Sequence, residues 1–264
     1  MSLTLVQVIV SGLLLGAVYA LFSSGLTLIW GMMNVVNFAH GDFVMLGMYT
    51  AVVIWTALGG GPWASVPVAA IFALMFGTAN GLVTITRGTV PLALFGAAGY
   101  GALIGGSFVL GGIRFEGSRL LAGVVGLAVT LLLHLILTRT AIGSRMLAVS
   151  EDATAAQLMG IRPQRMQALA WALAGAATGI AGALIATFFY TSPTVGETLA
   201  IVAFVTVSFG GFGSVLGALV AGLIIGVVES LSAYLIGPVY KDVIVYVLFV
   251  LVLWFRPQGL MGKA

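Results

Sequence analysis

The chain has 264 residues, of which 61% are apolar and only 6% charged. Soluble domains are nearer half apolar and a quarter charged, so the composition excludes an ordinary soluble domain. A formal charge of +3 scattered over loops argues against nucleic acid, and the lack of any cysteine excludes disulfides and thiolate metal sites.

The few charges are confined. None occurs in 1–41, 43–86, 88–113, 120–138, 166–196 or 198–228. About 20 apolar residues suffice for a helix to cross the hydrocarbon core, and these runs are apolar on every face, which a β-barrel strand is not. An all-α polytopic membrane protein follows. Spans are predicted at 3–31, 38–58, 63–86, 90–112, 119–138, 166–190, 198–212, 214–236 and 240–255. The first lacks the basic flank of a cleaved signal peptide and is expected to be retained. Residues 198–212 are too short to cross upright and are expected to form a half-helix or a re-entrant segment, giving eight or nine crossings.

Between the first two spans lies NVVNFAHGDFVMLG (34–47), where Asn34, Asn37, His40 and Asp42 gather in an otherwise oily stretch. Polar groups at membrane depth are costly and tend to be functional. One reading is a polar helix–helix turn: Asn34 caps, Gly41 breaks the chain, and Asp42 pairs with Arg87 or stays hydrated. The other is that Asn37, His40 and Asp42 line a transport route or its inner gate, because carriers build sites where spanning helices are interrupted. GDFVMLGMYTA (41–51) and GFGSVLGALVA (211–221) share Gly, Leu, Gly and Ala at equal offsets, a candidate pair of interruptions.

Small residues recur at spacing four: Gly12 and Gly16, Gly77 and Gly81, Gly175 and Gly179, Gly213 and Gly217, Gly222 and Gly226. Such pairs let helices approach closely in lipid.

The longest polar stretch, 139–165, carries Arg139, Arg145, Arg162 and Arg165 and is expected on the cytoplasmic side, with the C-terminus. Loop 113–119 then falls outside, and the side of the N-terminus depends on whether the crossings number eight or nine. Within the basic loop, SEDATAAQLMG (150–160) predicts a short helix. Ser150 is the expected N-cap, Glu151 and Asp152 complement the helix dipole in the first turn, and Gly160 suits the residue after the C-cap, with Pro163 beyond. Ala155, Leu158 and Met159 form one apolar stripe, suited either to a membrane surface or to a groove on a partner protein.

TSPTVGETLA (191–200) is the other polar stretch, expected outside, with Pro193 and Gly196 breaking the chain. Glu197 either caps the following helix or receives a ligand's ammonium group. Glu229, in an apolar run, either snorkels to water or contacts a second subunit. His134 is expected to be a packed or interfacial side chain.

Five stretches in order, GLLLGAVYALFSSGLTLIWGMMNVVNFAHGDFVMLG (12–47), TAIGSRMLAVSEDATAAQLMGI (140–161), ALAGAATGIAGAL (172–184), FGGFGSVLGALVAGLIIGVVES (209–230) and FRPQGLMG (255–262), resemble the LivH-type permease subunit of branched-chain amino acid ABC importers. The resemblance implies one transmembrane permease domain over 1–264, in a bacterial inner membrane, with a cytoplasmic coupling loop at about 140–165. It implies a second permease subunit, a LivM-like relative or a second copy, two cytoplasmic ATPases that bind ATP and Mg, and an extracytoplasmic substrate-binding protein. Glu151, Ala155, Ala156 and Gly160 stand at the family's coupling-helix positions. The substrate route is expected to draw on Asn34, Asn37, His40, Asp42, Pro193 and Glu197, and the ATPase contact on Ser150, Glu151, Asp152, Ala155, Ala156, Leu158, Met159 and Gly160.

The chain is expected to be no enzyme and to hold no cofactor or metal itself. Neither Lys241 nor Lys263 sits in a G-x-x-x-x-G-K-[ST] pattern, so ATP hydrolysis by a P-loop must come from another chain. Two other readings stay open: a permease for urea or short amides, and a stand-alone carrier or channel that needs no ATPase.

Overall fold

A computed structural model describes residues 2–58, 107–110, 113–256 and 258–262. The predicted span at 63–86, most of that at 90–112, Gly77, Gly81 and Arg87 lie outside the described residues.

The long apolar runs form the helices α1 (Ser2–Met33), α2 (His40–Leu58), α3 (Gly117–Arg139), α4 (Ala141–Glu151), α5 (Ala153–Leu158), α6 (Pro163–Ile185), α7 (Val195–Gly210), α8 (Val215–Leu235) and α9 (Lys241–Phe255). Between α2 and α3 lie the strands β1 (Ser107–Leu110) and β2 (Ile113–Glu116), which pair antiparallel with Ser107 opposite Glu116. This corrects the expectation of helix as far as 112. Hydropathy alone reads SFVLGGIRFE as apolar, but two β-prone runs separated by Gly-Gly are a hairpin signature.

Helix α1 is the axis of the fold. Gly12 and Gly16 on α1 face Gly226 and Gly222 on α8, and a Cβ on Gly12 would lie only 2.7 Å from the Gly226 carbonyl oxygen. Two of the spacing-four pairs read from the sequence therefore pack directly on each other, in antiparallel register. Backbone-to-backbone approach of this kind substitutes for the hydrophobic drive that lipid removes. Helix α3 lies along another face of α1 in parallel sense, with Gly123 against Leu14 and Gly126 against Ala17. Helix α2 packs on α6, with Gly47 against Gly179.

A continuous apolar cluster including Phe22, Leu26, Val44, Met48, Leu184, Phe209 and Ile225 knits α1, α2, α6, α7 and α8 together. Two buried hydroxyls return their protons to their own helix: Thr130 donates to the Gly126 carbonyl at 2.8 Å and Thr178 to that of Ala174 at 2.8 Å. No water is at hand in lipid, so internal partners are required.

The register fixes sidedness. The C-terminal end of α1 meets the turn before α8 (Gly31 against Gly213), and the α4–α5 segment packs on Leu28 and Met32. The start of α1 therefore lies at the end of the molecule opposite the basic loop. With that loop cytoplasmic, the N-terminus is outside.

Candidate functional site

The polar stretch after α1 is built from local rules. Asn34 ends α1 in the left-handed region (φ 53°), with its N–H still bonded to the Trp30 carbonyl at 2.8 Å. Asparagine is among the few side chains that tolerate that geometry. The Asn37 side-chain oxygen then accepts from the Ala39 N–H at 3.1 Å, an Asx turn that redirects the chain. Helix α2 starts at once, but not at the level where α1 ended. His40 lies beside Phe22, eleven residues back along α1, or about 16 Å at 1.5 Å per residue. The chain has folded back into the protein before becoming helical again.

His40 seals this re-entry. Its side chain is 1% exposed, and its Nε2 lies 2.7 Å from the Phe22 carbonyl oxygen. A carbonyl only accepts, so Nε2 carries the hydrogen. The Nδ1 has no partner among the described residues.

A second fold-back meets the first. After α6 ends at Ile185 the chain turns through Phe188–Pro193 and opens α7 at Val195. The head of α7 touches the head of α2: Gly41 lies against the Gly196 carbonyl, and a Cβ on Gly196 would stand 2.8 Å from the Asp42 Oδ1. From there the segments run side by side in opposite directions, with the Phe38 ring stacked on Phe204 at 6.1 Å between centroids. The 16-residue α7 is the short helix expected over 198–212, and it begins inside the protein rather than at its edge.

Two helix N-termini thus converge, each with a carboxylate in its first turn, Asp42 on α2 and Glu197 on α7. Asp42 is half-buried and within electrostatic reach of Glu197. The donors at a helix head and its dipole both favour such acids. Pro193 and Glu197 are exposed, while Asn37 lines an apolar cavity with Phe38, Phe204 and Phe249. Asp42, Asn37 and Glu197 are brought to one junction. Asn34 sits apart at the end of α1, and His40 points away into the packing. The interruption that meets Gly41 is at Gly196, and the break at 211–214 lies elsewhere. Gly211 instead packs at the far end of α7 against Gly259 and Gly262.

The basic loop is two helices rather than one. Ser150 lies inside α4 and donates to the Leu147 carbonyl at 2.7 Å, so it caps nothing. Asp152 is the N-cap of α5 instead: its Oδ1 accepts from the N–H groups of Thr154 at 2.8 Å and Ala155 at 3.0 Å. Glu151 accordingly closes α4 and is not in the first turn of α5. Both Ser and Asp are strong caps, and position along the sequence does not choose between them. Gly160 takes the expected place after the C-cap, at φ 81°. The Ile161 N–H returns to the Ala156 carbonyl at 3.0 Å and that of Gly160 to Gln157 at 3.0 Å, a complete Schellman ending.

Helix α5 has two unlike faces. Ala156 is 5% exposed and packs with Met146, Val149 and Met166 under the end of α1, and Ile161 covers the same cluster. Leu158 and Met159 are 85% and 82% exposed and project away from the body, with Ala155 also exposed. Of the residues expected at a partner contact, Ala156 is therefore the anchor and Leu158 and Met159 the ridge.

Glu229 does not snorkel to water. It is buried and bonded to Lys241, with Nζ to Oε1 at 2.5 Å, which ties α8 to α9 within the chain. The sequence separation of twelve hides this partnership, because it spans a helix-to-helix turn.

These features, long apolar helices, two interrupted segments meeting inside and an exposed ridge at one end, define a multi-pass membrane transport subunit. The chain matches the family model described as "Branched-chain amino acid transport system / permease component" over residues 8–94 and 85–253. The chain belongs to that family. It is 31% identical to the high-affinity branched-chain amino acid transport system permease protein BraD of Pseudomonas aeruginosa, over 97% of this chain and 95% of that protein. It is 30% identical, with the same coverage, to the permease protein LivH of Escherichia coli (strain K12). A shorter match of 39% identity joins 43% of this chain to 33% of the fructose import permease protein FrcC of Rhizobium meliloti. No solved structure matches the chain.

Proposed function

We propose that the chain is the membrane-spanning permease subunit of an ABC importer for branched-chain amino acids, one permease domain over 1–264 in a bacterial inner membrane. Separate ATPase subunits bind ATP and Mg and drive alternating access, and a second permease subunit and an external binding protein complete the assembly. The protein itself performs no covalent chemistry and carries no cofactor.

The observation that carries this reading is the α5 ridge. A surface helix that leaves Leu158 and Met159 more than four-fifths exposed, yet is capped at both ends and anchored by buried Ala156, is rigid and unsatisfied at once. A rigid lever able to pass a displacement into the cluster at the end of α1 has those properties. Ligands and partners shift such a system only by binding its states unequally, and ATP-driven closure of two engines would supply the difference. The paired heads of α2 and α7, with Asp42, Asn37, Glu197 and Pro193, are the part of the route we assign to this chain. His40 and Asn34 hold its geometry.

The test is co-purification in mild detergent from cells expressing the whole transporter. Recovery of an ATPase with the wild-type chain, and its loss on changing Leu158 and Met159 to Asp, supports the reading. Leucine uptake into liposomes by this chain alone would instead favour a stand-alone carrier.

A further inference from the structure

A cavity of about 430 Å³ opens among the outer ends of α1, α3, α8 and α9, the fold-back before α7 and the head of α7 itself. Its wall carries four charges that the sequence scatters over 124 residues, Arg119, Glu229, Lys241 and Asp242, together with Tyr19 and Tyr190. Two are basic and two acidic.

From this we infer that the cavity is an outer binding site for a free zwitterionic amino acid, engaged before the solute reaches the junction of α2 and α7. The inference rests on the proposed transport reading and adds a position and a recognition chemistry to it.

The charges are arranged for a ligand that carries both signs. Lys241 bonds Glu229 through one Nζ–H, and its Nζ is 3.9 Å from Asp242 Oδ1, so the ammonium retains donors for an incoming carboxylate. Glu229 Oε1 takes Lys241, and Tyr19 reaches the same carboxylate. With Asp242 alongside, acceptors remain for an incoming ammonium. Arg119 uses Nε on Glu116 at 2.9 Å, which leaves its terminal nitrogens outside that contact, and its guanidinium stands 5.9 Å from the centre of the Phe188 ring. A net anion or a net cation would meet a repelling partner here, whereas a zwitterion meets complementary groups at both ends.

Apart from the hydroxyls of Ser11, Thr198 and Ser230, the remaining lining is apolar and aromatic, which suits an aliphatic side chain, and the volume falls in the range of small-molecule sites. The cavity lies at the end of the molecule opposite α5, where solute arrives. It borders the fold-back that carries Pro193, so occupancy and the position of the α7 head are mechanically joined.

The experiment is equilibrium binding of radiolabelled L-leucine to the full permease assembly with its ATPases in nanodiscs, without the external binding protein. Isocaproate, which lacks the ammonium, and isoamylamine, which lacks the carboxylate, serve as competitors. The expected result is saturable leucine binding, with each single-charge analogue at least tenfold weaker. Asp242→Asn and the exchange Glu229→Lys with Lys241→Glu are each expected to weaken leucine at least tenfold, with unchanged elution and ATPase co-purification.

Unaltered binding in both variants, or no saturable binding by an assembly that still imports leucine with its binding protein, overturns the inference alone. Failure of the whole transporter to import any branched-chain amino acid overturns the transport reading, and the inference with it. Loss of leucine binding in nanodiscs that contain phosphatidylethanolamine assigns the cavity to a lipid headgroup and also overturns it.

Discussion

Gly41 lies against the carbonyl of Gly196 so closely that a single methyl group on it would also come within 2.6 Å of the Ala200 nitrogen. The two interrupted segments therefore touch through bare backbone. Overpacking a tight site typically costs about 1–3 kcal/mol, and here rigid backbone rather than a flexible side chain would have to yield. Gly41→Ala is expected to lower the melting temperature in detergent and to cut leucine import. Gly160→Ala is the control: φ 81° strains a side chain there, but nothing lies within 4 Å, so a loss of about 1 kcal/mol is expected.

The α5 ridge separates folding from coupling. Leu158→Asp with Met159→Asp places charge where the side chains are already in water, so stability should change by about 0.5 kcal/mol or less. ATPase co-purification should vanish. Ala156→Asp, one turn away, buries a charge in the cluster under α1 and should instead abolish stable expression.

The capping assignment is directly measurable. Asp152→Ala removes the acceptor for two N–H groups at the start of α5 and should cost about 1 kcal/mol, felt as weaker ATPase retention. Ser150→Ala only removes a bond to a carbonyl of its own helix and should stay within about 0.5 kcal/mol. Equal effects of the two would return the cap to Ser150.

Asp42 and His40 are two residues apart and should behave differently. His40→Ala empties a buried site and frees the Phe22 carbonyl of a partner, so about 2–4 kcal/mol and a fall in expression are expected. Asp42→Asn keeps the shape at a half-buried junction. It should leave the melting temperature within a few degrees while reducing import at least tenfold. Normal import by purified Asp42→Asn protein would remove Asp42 from the route.

Breaking the α8–α9 tie tests how it is held. Lys241→Met leaves Glu229 buried without its cation and is expected to cost about 3–5 kcal/mol. Adding Glu229→Leu should recover most of that, because no charge is then stranded. Thermal melts of the two single variants and the double give the coupling directly.

Much of this protein is written in one dimension. A run of apolar residues longer than the bilayer core must become a helix within it, since lipid offers no partner for backbone groups. That local requirement set α1, α3, α6, α8 and α9 to within a few residues, along with the basic loop, the spacing-four glycines and the Gly160 ending. The exposed pair Leu158 and Met159 followed from helical spacing on a polar background. What a single line of residues could not determine was which polar groups meet. Glu229 finds Lys241, Gly41 finds Gly196, and Asp152 rather than Ser150 caps the start of α5, because these outcomes depend on how far α2 and α7 fold back into the protein and on where α4 ends. Hydropathy records only the preference of each residue for oil or water. Partner choice is decided by distances between helices, and those arise when all of them pack around α1 together.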